Sequence, residues 1–206
     1  MAKILVSGFE AFAGNLVNPT EKLVRALIAS PEKFLARPDE VHGVILPVTF
    51  ASSFERLEEK MREFQPDIVI SLGVASGRSA SIEIERVAIN VVDADIPDNS
   101  GSQPRDEVID VSGPPALFTS LPARALVENL TAASVPAKIS NSAGTYVCNF
   151  LFYKLMLFNL RTLHRGGFIH VPFLPEQAKT GAPSMDFETL SRALGVILRT
   201  CVGSPK

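Results

Sequence analysis

The chain has 206 residues, with 20 Lys and Arg against 22 Asp and Glu and a formal net charge of −2. This length predicts one compact domain over 1–206. The near-neutral charge, without any run of Lys or Arg, argues against a protein that binds nucleic acid through its phosphates. Hydrophobic residues make up 46% and charged residues 20%, a composition that excludes wholesale disorder.

The cysteines and the apolar segments indicate the compartment. Cys148 and Cys201 are too few and too widely spaced for a disulfide framework or a zinc motif. The apolar stretch at the N-terminus is too short for a signal peptide and is read as a strand. The most apolar segment, 150–160, falls far short of the roughly 20 residues that cross a bilayer. We therefore expect a cytoplasmic protein without membrane contact.

Hydrophobic periodicity predicts strands that alternate with helices along the chain. In chain order, the predicted elements are a strand at 3–7, a loop at 8–14, a helix that starts at Asn18-Pro19 with Asn18 as its N-cap, a strand at 44–48, a helix at 50–64, a strand at 67–72, a β-rich segment at 82–92, a long irregular loop at 93–115, a helix at 123–133, a strand at 137–140, an apolar helix at 145–159, a strand at 168–171 after a Gly166-Gly167 turn, and a helix at 187–200. This alternation predicts an α/β fold with helices on both faces of a sheet.

Three polar residues lie near predicted strand ends or helix starts, where α/β folds commonly bind ligands. Cys148 falls in the first turns of the apolar helix, where unpaired N–H groups and the helix dipole favour the thiolate. His170 ends a strand and can exchange protons with a thiol and a leaving amine. Glu85 can hold the imidazole in the useful tautomer. Taken singly, each is more often structural, since free cysteine is among the most buried residue types.

Seven sequence blocks occur in one order over nearly the whole chain, namely GFEAF at 8–12, ERVAIN at 85–90, IPDN at 96–99, AGTYVCN at 143–149, GGFIHVP at 166–172, LPEQ at 174–177 and GAPSM at 181–185. Together these blocks resemble type I pyroglutamyl peptidase, also called pyrrolidone-carboxylate peptidase. The resemblance implies a three-layer α/β/α sandwich around a mixed, mostly parallel sheet. It also implies a cytoplasmic cysteine peptidase that acts on peptides with an N-terminal pyroglutamate, needs no metal or organic cofactor and forms a homotetramer. The family's catalytic cysteine, histidine and glutamate fall on Cys148, His170 and Glu85.

The resemblance also implies a substrate-binding role for residues outside the triad. Phe9 and Phe12 would sandwich the pyroglutamyl ring, a neutral lactam that needs apolar walls and a few placed polar partners. Asn18 would either order their loop or meet the substrate. Val74 replaces the glutamine that commonly follows the first glycine of the 73–77 loop, which removes a side-chain contact and leaves any backbone contact. Without the resemblance, both phenylalanines would be interpreted as packing between strand and helix.

One departure from the family pattern leaves two functions open. Asp95 stands where the family commonly has an arginine that is thought to assist the oxyanion. Asp95 either opposes charge development, or turns to solvent and leaves the backbone donors to act alone, or is compensated by Arg78 or Arg86. The chain is accordingly an active peptidase or a weakened, non-catalytic binder of pyroglutamyl and similar lactams. A phosphate-binding domain is disfavoured, because neither glycine-bearing loop has the G-x-x-x-x-G-K-[ST] or G-x-G-x-x-G pattern.

Overall fold

A computed structural model describes residues 2–35, 41–75, 79–162, 164–178 and 181–203. Its strands are β1 (Ile4–Phe9), β2 (Val41–Leu46), β3 (Ile68–Val74), β4 (Ile82–Glu85), β5 (Val87–Ile89), β6 (Ala116–Phe118), β7 (Ala137–Ser140) and β8 (Arg165–Val171). Its α-helices are α1 (Pro19–Ala29), α2 (Ser53–Phe64), α3 (Ala123–Ala132), α4 (Val147–Asn159) and α5 (Phe187–Gly203), and a short 3₁₀ helix spans Pro31–Lys33. The predicted alternation of strands and helices is confirmed.

Six strands form one mixed sheet in the order β2-β1-β3-β8-β4-β7. The first four run parallel to one another, whereas β4 is antiparallel to β8 and parallel to β7. Helices α1, α3 and α5 pack on one face, and α2 and α4 pack on the other. The fold is thus the predicted α/β/α sandwich with a mixed, mostly parallel sheet. Strands β5 and β6 form a separate antiparallel pair.

Strand β8 places side chains in both layers of the core. Ile169 enters the core under α1, α3 and α5, whereas Phe168 enters the core under α2 and α4. Because side chains alternate along a strand, His170 lies on the same face as Phe168. The apolar helix α4, with most of its residues buried, covers that face. This arrangement brings the helix that carries the cysteine over the strand that carries the histidine.

The Gly166-Gly167 turn predicted before this strand is wrong, because both glycines belong to β8. A Cβ atom at Gly167 would lie 2.1 Å from Oγ1 of Thr119, and one at Gly166 would lie 2.9 Å from the carbonyl oxygen of Val69. These glycines therefore permit close approach within the sheet instead of reversing the chain.

Two further differences from the prediction concern β1 and β6. Phe9 is the last residue of β1 and not part of the following loop. Strand β6 was not predicted, and it lies directly after the irregular segment 93–115. That segment is joined to the preceding chain by an isolated bridge between Val92 and Glu107. Among the helices described, none has the length and apolar character needed to traverse a bilayer.

Candidate active site

The thiol candidate opens a helix whose first turn is tied to a distant segment. Cys148 is the second residue of α4 and is half-buried, and the preceding Tyr146 has extended backbone. The side chain of Asn149 accepts a hydrogen bond from the N–H of Ile89 (3.0 Å) and donates to the carbonyl oxygens of Ile89 (2.9 Å) and Val91 (3.0 Å). Apart from its place beside Cys148, no local pattern predicts this role of Asn149, because its partners lie about 60 residues away.

The imidazole candidate lies between the thiol and a carboxylate. Nδ1 of His170 donates a hydrogen bond to Oε1 of Glu85 over 2.7 Å, and the two residues are 2% and 0% exposed. Burial alone lowers the pKa of His170, but hydrogen bonding to Cys148 and Glu85, together with their charges, outweighs it and raises that pKa to about 9. The structure therefore brings Cys148, His170 and Glu85 together, with an imidazole that stays protonated at neutral pH.

A second buried carboxylate lies beside this group. Glu83 of β4 is the register partner of His170, and its Oε1 accepts hydrogen bonds from Oγ of Ser79 and Nζ of Lys138, each over 3.1 Å. Glu83, Glu85 and His170 each offer one potential metal-ligating atom within 4.8 Å of the others. Oε1 of Glu83, Oε1 of Glu85 and Nδ1 of His170 already bond to protein partners, whereas the buried Oε2 of Glu85 has no hydrogen-bond partner among the described residues.

A small pocket, with a cavity volume of about 20 Å³, opens beside the thiol at the carboxyl ends of β1 and β3. Its lining comprises all four predicted substrate-binding residues, the thiol and three further residues, namely Phe9, Phe12, Asn18, Val48, Val74, Tyr146, Val147 and Cys148. None of these described lining residues is an Asp, Glu, Lys or Arg. Sequence reasoning missed Val48, Tyr146 and Val147, although the last two lie inside the cysteine block that carried the resemblance.

The aromatic side chains of the pocket differ in how firmly they are packed. Phe9 is 3% exposed, and its ring centroid lies 6.5 Å from that of Phe168 in the core. Phe12 is half-buried, and its ring centroid lies 6.4 Å from that of Tyr146. Burial and the charges of Asp98 and Cys148 raise the pKa of Tyr146, so its phenol stays neutral. The pocket therefore has one wall fixed in the core and another formed by a loop.

Asn18 has the first of the two roles expected for it. Its Oδ1 accepts hydrogen bonds from the N–H (3.0 Å) and Oγ1 (2.8 Å) of Thr20, which makes it the N-cap of α1. Its Nδ2 donates to the carbonyl oxygen of Glu10 over 2.9 Å. These bonds order the loop that carries Phe12.

The segment 93–102, here called the strap, joins two sides of the pocket. Nδ2 of Asn99 donates to Oε1 of Glu10 (2.9 Å) and to the carbonyl oxygen of Ala11 (3.0 Å) in the Phe12 loop. On the other side, Oη of Tyr146 donates to the carbonyl oxygen of Pro97 over 3.1 Å. The strap thereby fixes the loop that carries Phe12 relative to the start of α4.

Asp98 anchors the strap to the chain before α2. Its carboxylate accepts hydrogen bonds from the backbone N–H groups of Phe50 (2.8 Å), Ser100 (2.8 Å) and Ser102 (2.9 Å), and from the Ser100 hydroxyl (2.7 Å). Burial of Asp98 opposes its ionisation, but these bonds outweigh the burial and hold its pKa below the usual range. Asp98 is therefore an ionised structural residue.

Asp95 lies beside the start of α4 without entering the pocket. The backbone of Asp93 exchanges hydrogen bonds with Thr145, at 3.0 Å to its carbonyl oxygen and 2.7 Å from its hydroxyl. Two residues further on, the Asp95 side chain is fully exposed, and its carboxylate lies 3.6 Å from Arg105. Two arginines are candidates to replace the family arginine. Arg86 is half-buried and directly follows β4, whereas Arg78 lies outside the described residues.

Comparison with known proteins gives a consistent result. The sequence model of a family described as "Pyroglutamyl peptidase" matches residues 2–203. The pyrrolidone-carboxylate peptidase of Erwinia tasmaniensis is 46% identical over 94% of this chain and 90% of its own length. That of Thermosipho africanus is 48% identical over 93% of each chain. The crystal structure of Bacillus amyloliquefaciens pyroglutamyl peptidase I superposes with a TM-score of 0.92 at 40% identity, covering 99% of this chain and 98% of the other.

Proposed function

Because this chain belongs to the pyroglutamyl peptidase family, we propose that it is a cysteine peptidase that removes N-terminal pyroglutamyl residues from peptides. One observation carries the proposal. Buried His170 is hydrogen-bonded to both Cys148 and Glu85, and the thiol lines a pocket that Phe9 and Phe12 also line.

The nucleophile would be the Cys148 thiolate, paired with protonated His170. The first turn of α4 supplies backbone N–H groups without intrahelical partners, and its dipole favours negative charge there. The raised pKa of His170 keeps a proton on the imidazole that the leaving amine can take. Glu85 would stabilise that imidazolium and hold its orientation.

The reaction would proceed in two halves. The thiolate attacks the carbonyl carbon of the peptide bond that follows the pyroglutamyl residue, and a C–S bond forms. The N–H groups of the first turn of α4 stabilise the oxyanion. The C–N bond breaks as His170 donates its proton to the departing amine, which leaves a thioester. His170 then accepts a proton from water, the water oxygen attacks the thioester carbonyl, and the C–S bond breaks to release pyroglutamate.

The pocket suits a neutral ring. Its described lining is mostly apolar, and the polar atoms of Asn18 and Tyr146 already bond within the protein. A lactam brings no net charge, whereas a free N-terminal ammonium would be buried there without a partner at considerable cost. Val74 would contribute through its backbone, since its side chain offers no hydrogen bond.

By family resemblance we also propose that the enzyme acts in the cytoplasm as a homotetramer, without a metal or organic cofactor.

The proposal is tested by hydrolysis of a chromogenic pyroglutamyl amide. We expect the wild type to cleave it and Cys148→Ala to lose turnover while remaining folded. Cys201→Ala is the matched control, because Cys201 is buried in α5 and its pKa is raised to about 12 by burial. Full activity of Cys148→Ala would refute the mechanism.

The replacement of the family arginine by Asp95 supports a second candidate, a lactam-binding protein without turnover. A wild-type protein that binds pyroglutamyl amide, detected by calorimetry, and leaves it intact would establish this alternative. A prolyl amide serves as the specificity control, because its ring carries a charged amine and no lactam carbonyl. We expect neither binding nor cleavage of the prolyl amide.

A further inference from the structure

Gly73 of β3 lies beside both reactive side chains of the site. In the parallel register of β3 and β8, Gly73 is the partner of His170. A Cβ atom placed on Gly73 would lie 3.0 Å from Sγ of Cys148 and 2.6 and 2.7 Å from two ring atoms of Phe168. All three distances are shorter than ordinary van der Waals contact. The volume that a methyl group would need is therefore already taken by the thiol and the ring.

The Phe168 ring cannot yield that space without disturbing the site. Phe168 is fully buried, and its ring meets that of His170 edge to face, with centroids 4.9 Å apart. It also contacts Phe9, at 6.5 Å, and Phe152, at 6.0 Å between centroids. Close-packed interiors transmit such displacements. A shift of this ring would therefore reach both the imidazole and the pocket wall.

We propose that Gly73 is a positioning residue for the nucleophile. The absence of a side chain on this residue allows Sγ of Cys148 to lie within hydrogen-bonding reach of His170. A larger residue displaces the sulfur and weakens the thiolate–imidazolium pair. The effect on turnover rests on the proposed peptidase function, but the effect on thiol reactivity does not.

The test compares Gly73→Ala with Gly43→Ala. A Cβ atom at Gly43 of β2 would lie 2.8 Å from side-chain atoms of both Val24 and Ile28, so the steric conflict is similar but lies on the opposite face of the sheet. The readouts are the pH dependence of alkylation of Cys148 by iodoacetamide, the kcat and KM for a pyroglutamyl amide, and the melting temperature. Alkylation of the Cys148→Ala variant gives the background from the remaining cysteine.

For Gly73→Ala we expect the alkylation profile to move toward that of an ordinary thiol. Its kcat should fall by on the order of 10²-fold, as small misplacements of reacting groups can cause, with a smaller rise in KM from the contact between Phe168 and the pocket wall. Gly43→Ala should lower the melting temperature and keep both the wild-type profile and kcat. A merely structural role for Gly73 would make the two variants behave alike.

A second variant, Gly73→Ala combined with Phe168→Leu, removes the ring atoms that the methyl group meets and leaves its contact with sulfur. It carries the test if the single variant does not fold. A wild-type alkylation profile in either folded variant overturns the proposal. The proposal is also overturned if neither Gly73 variant folds while Gly43→Ala does, because the added methyl group then disrupts the core and not the position of the sulfur. If the wild type lacks pyroglutamyl hydrolysis but Gly73→Ala still shifts the profile, the peptidase function fails and the positioning role stands.

Discussion

Glu85 accepts a hydrogen bond from Nδ1 of His170 over 2.7 Å, and the Glu85 side chain has no exposed surface. Water therefore does not screen the interaction, and the carboxylate is one of the groups that raise the pKa of His170 to about 9. With a folded-state pKa above the ordinary value, the imidazolium persists at neutral pH and is lost as the pH rises through about 9. An alkaline limit of activity near that pH follows, because the leaving amine needs this proton.

Glu85→Gln should lower kcat by up to about 10⁴-fold, the loss seen when the orienting carboxylate of a triad is replaced by its amide. Because the negative charge that favoured the imidazolium is gone, the alkaline limb of the pH profile should also move to lower pH. The measurements are kcat and kcat/KM for a pyroglutamyl amide from pH 5 to 10. An unshifted limb would mean that Glu85 does not act on His170 in this way.

Asp95→Arg should raise kcat/KM. Hydrogen bonds between Asp93 and Thr145 place this part of the strap beside the start of α4, and an arginine has the length to reach an oxyanion there. One added oxyanion donor is worth up to about 10²–10³-fold, so a gain of about tenfold or more is expected. Asp95→Ala is the control, since it removes the charge without adding a hydrogen-bond donor. Equal rates for the two variants would show that loss of the acid, and not the guanidinium, is what matters.

Asn99→Ala should raise KM for the pyroglutamyl amide by about two- to tenfold with little change in kcat, since hydrogen bonds of this kind contribute about 0.5–1.5 kcal/mol. The variant loses the two bonds that hold Glu10 and Ala11 to the strap, so the Phe12 loop is less well fixed. Gln103→Ala is matched to it, because Gln103 also donates two hydrogen bonds, but only to backbone within the strap. A KM increase of the same size in both variants would contradict this interpretation.

Alanine substitution of the two pocket phenylalanines should lower the free energy of unfolding by different amounts. Phe9→Ala truncates a nearly fully buried core side chain and should cost about 3–5 kcal/mol of the free energy of unfolding, besides raising KM. Phe12 is half-buried on a loop, so Phe12→Ala should raise KM with a much smaller loss of stability. Urea denaturation and steady-state kinetics on both variants check this. Equal losses of stability would place Phe12 in the core as well.

Local patterns were sufficient for most of the elements and for the residues of the site. The asparagine-proline start of α1 is one example, because a cap side chain acts on backbone within two residues. Gly167 is the opposite case: its meaning depends on Thr119, nearly 50 residues away, and the same residue type serves turns and close contacts alike.

The remaining features of the site depend on tertiary contacts that one sequence does not encode locally. Asn149 bonds to backbone about 60 residues earlier, and Asn99 bonds to a loop about 90 residues earlier. The exposed direction of Asp95 was one of two alternatives, since a charge in an irregular segment has no periodicity that assigns it to a face. These contacts depend on how the folded chain packs the strap against the pocket.

The reversed direction of β4 determines how deep the acidic member of the triad lies. Since Glu83 is level with His170 and Ile84 with Ile169, Glu85 is level with Phe168, two residues from His170 toward the amino end of β8. A parallel strand would have carried its last carboxylate outward to the open rim, within reach of solvent and substrate. Here the same residue points at the imidazole from below, while the sulfur approaches from the rim. An incoming peptide can therefore reach the thiol and the adjacent imidazole but not Glu85, which has no exposed surface and bonds to the histidine.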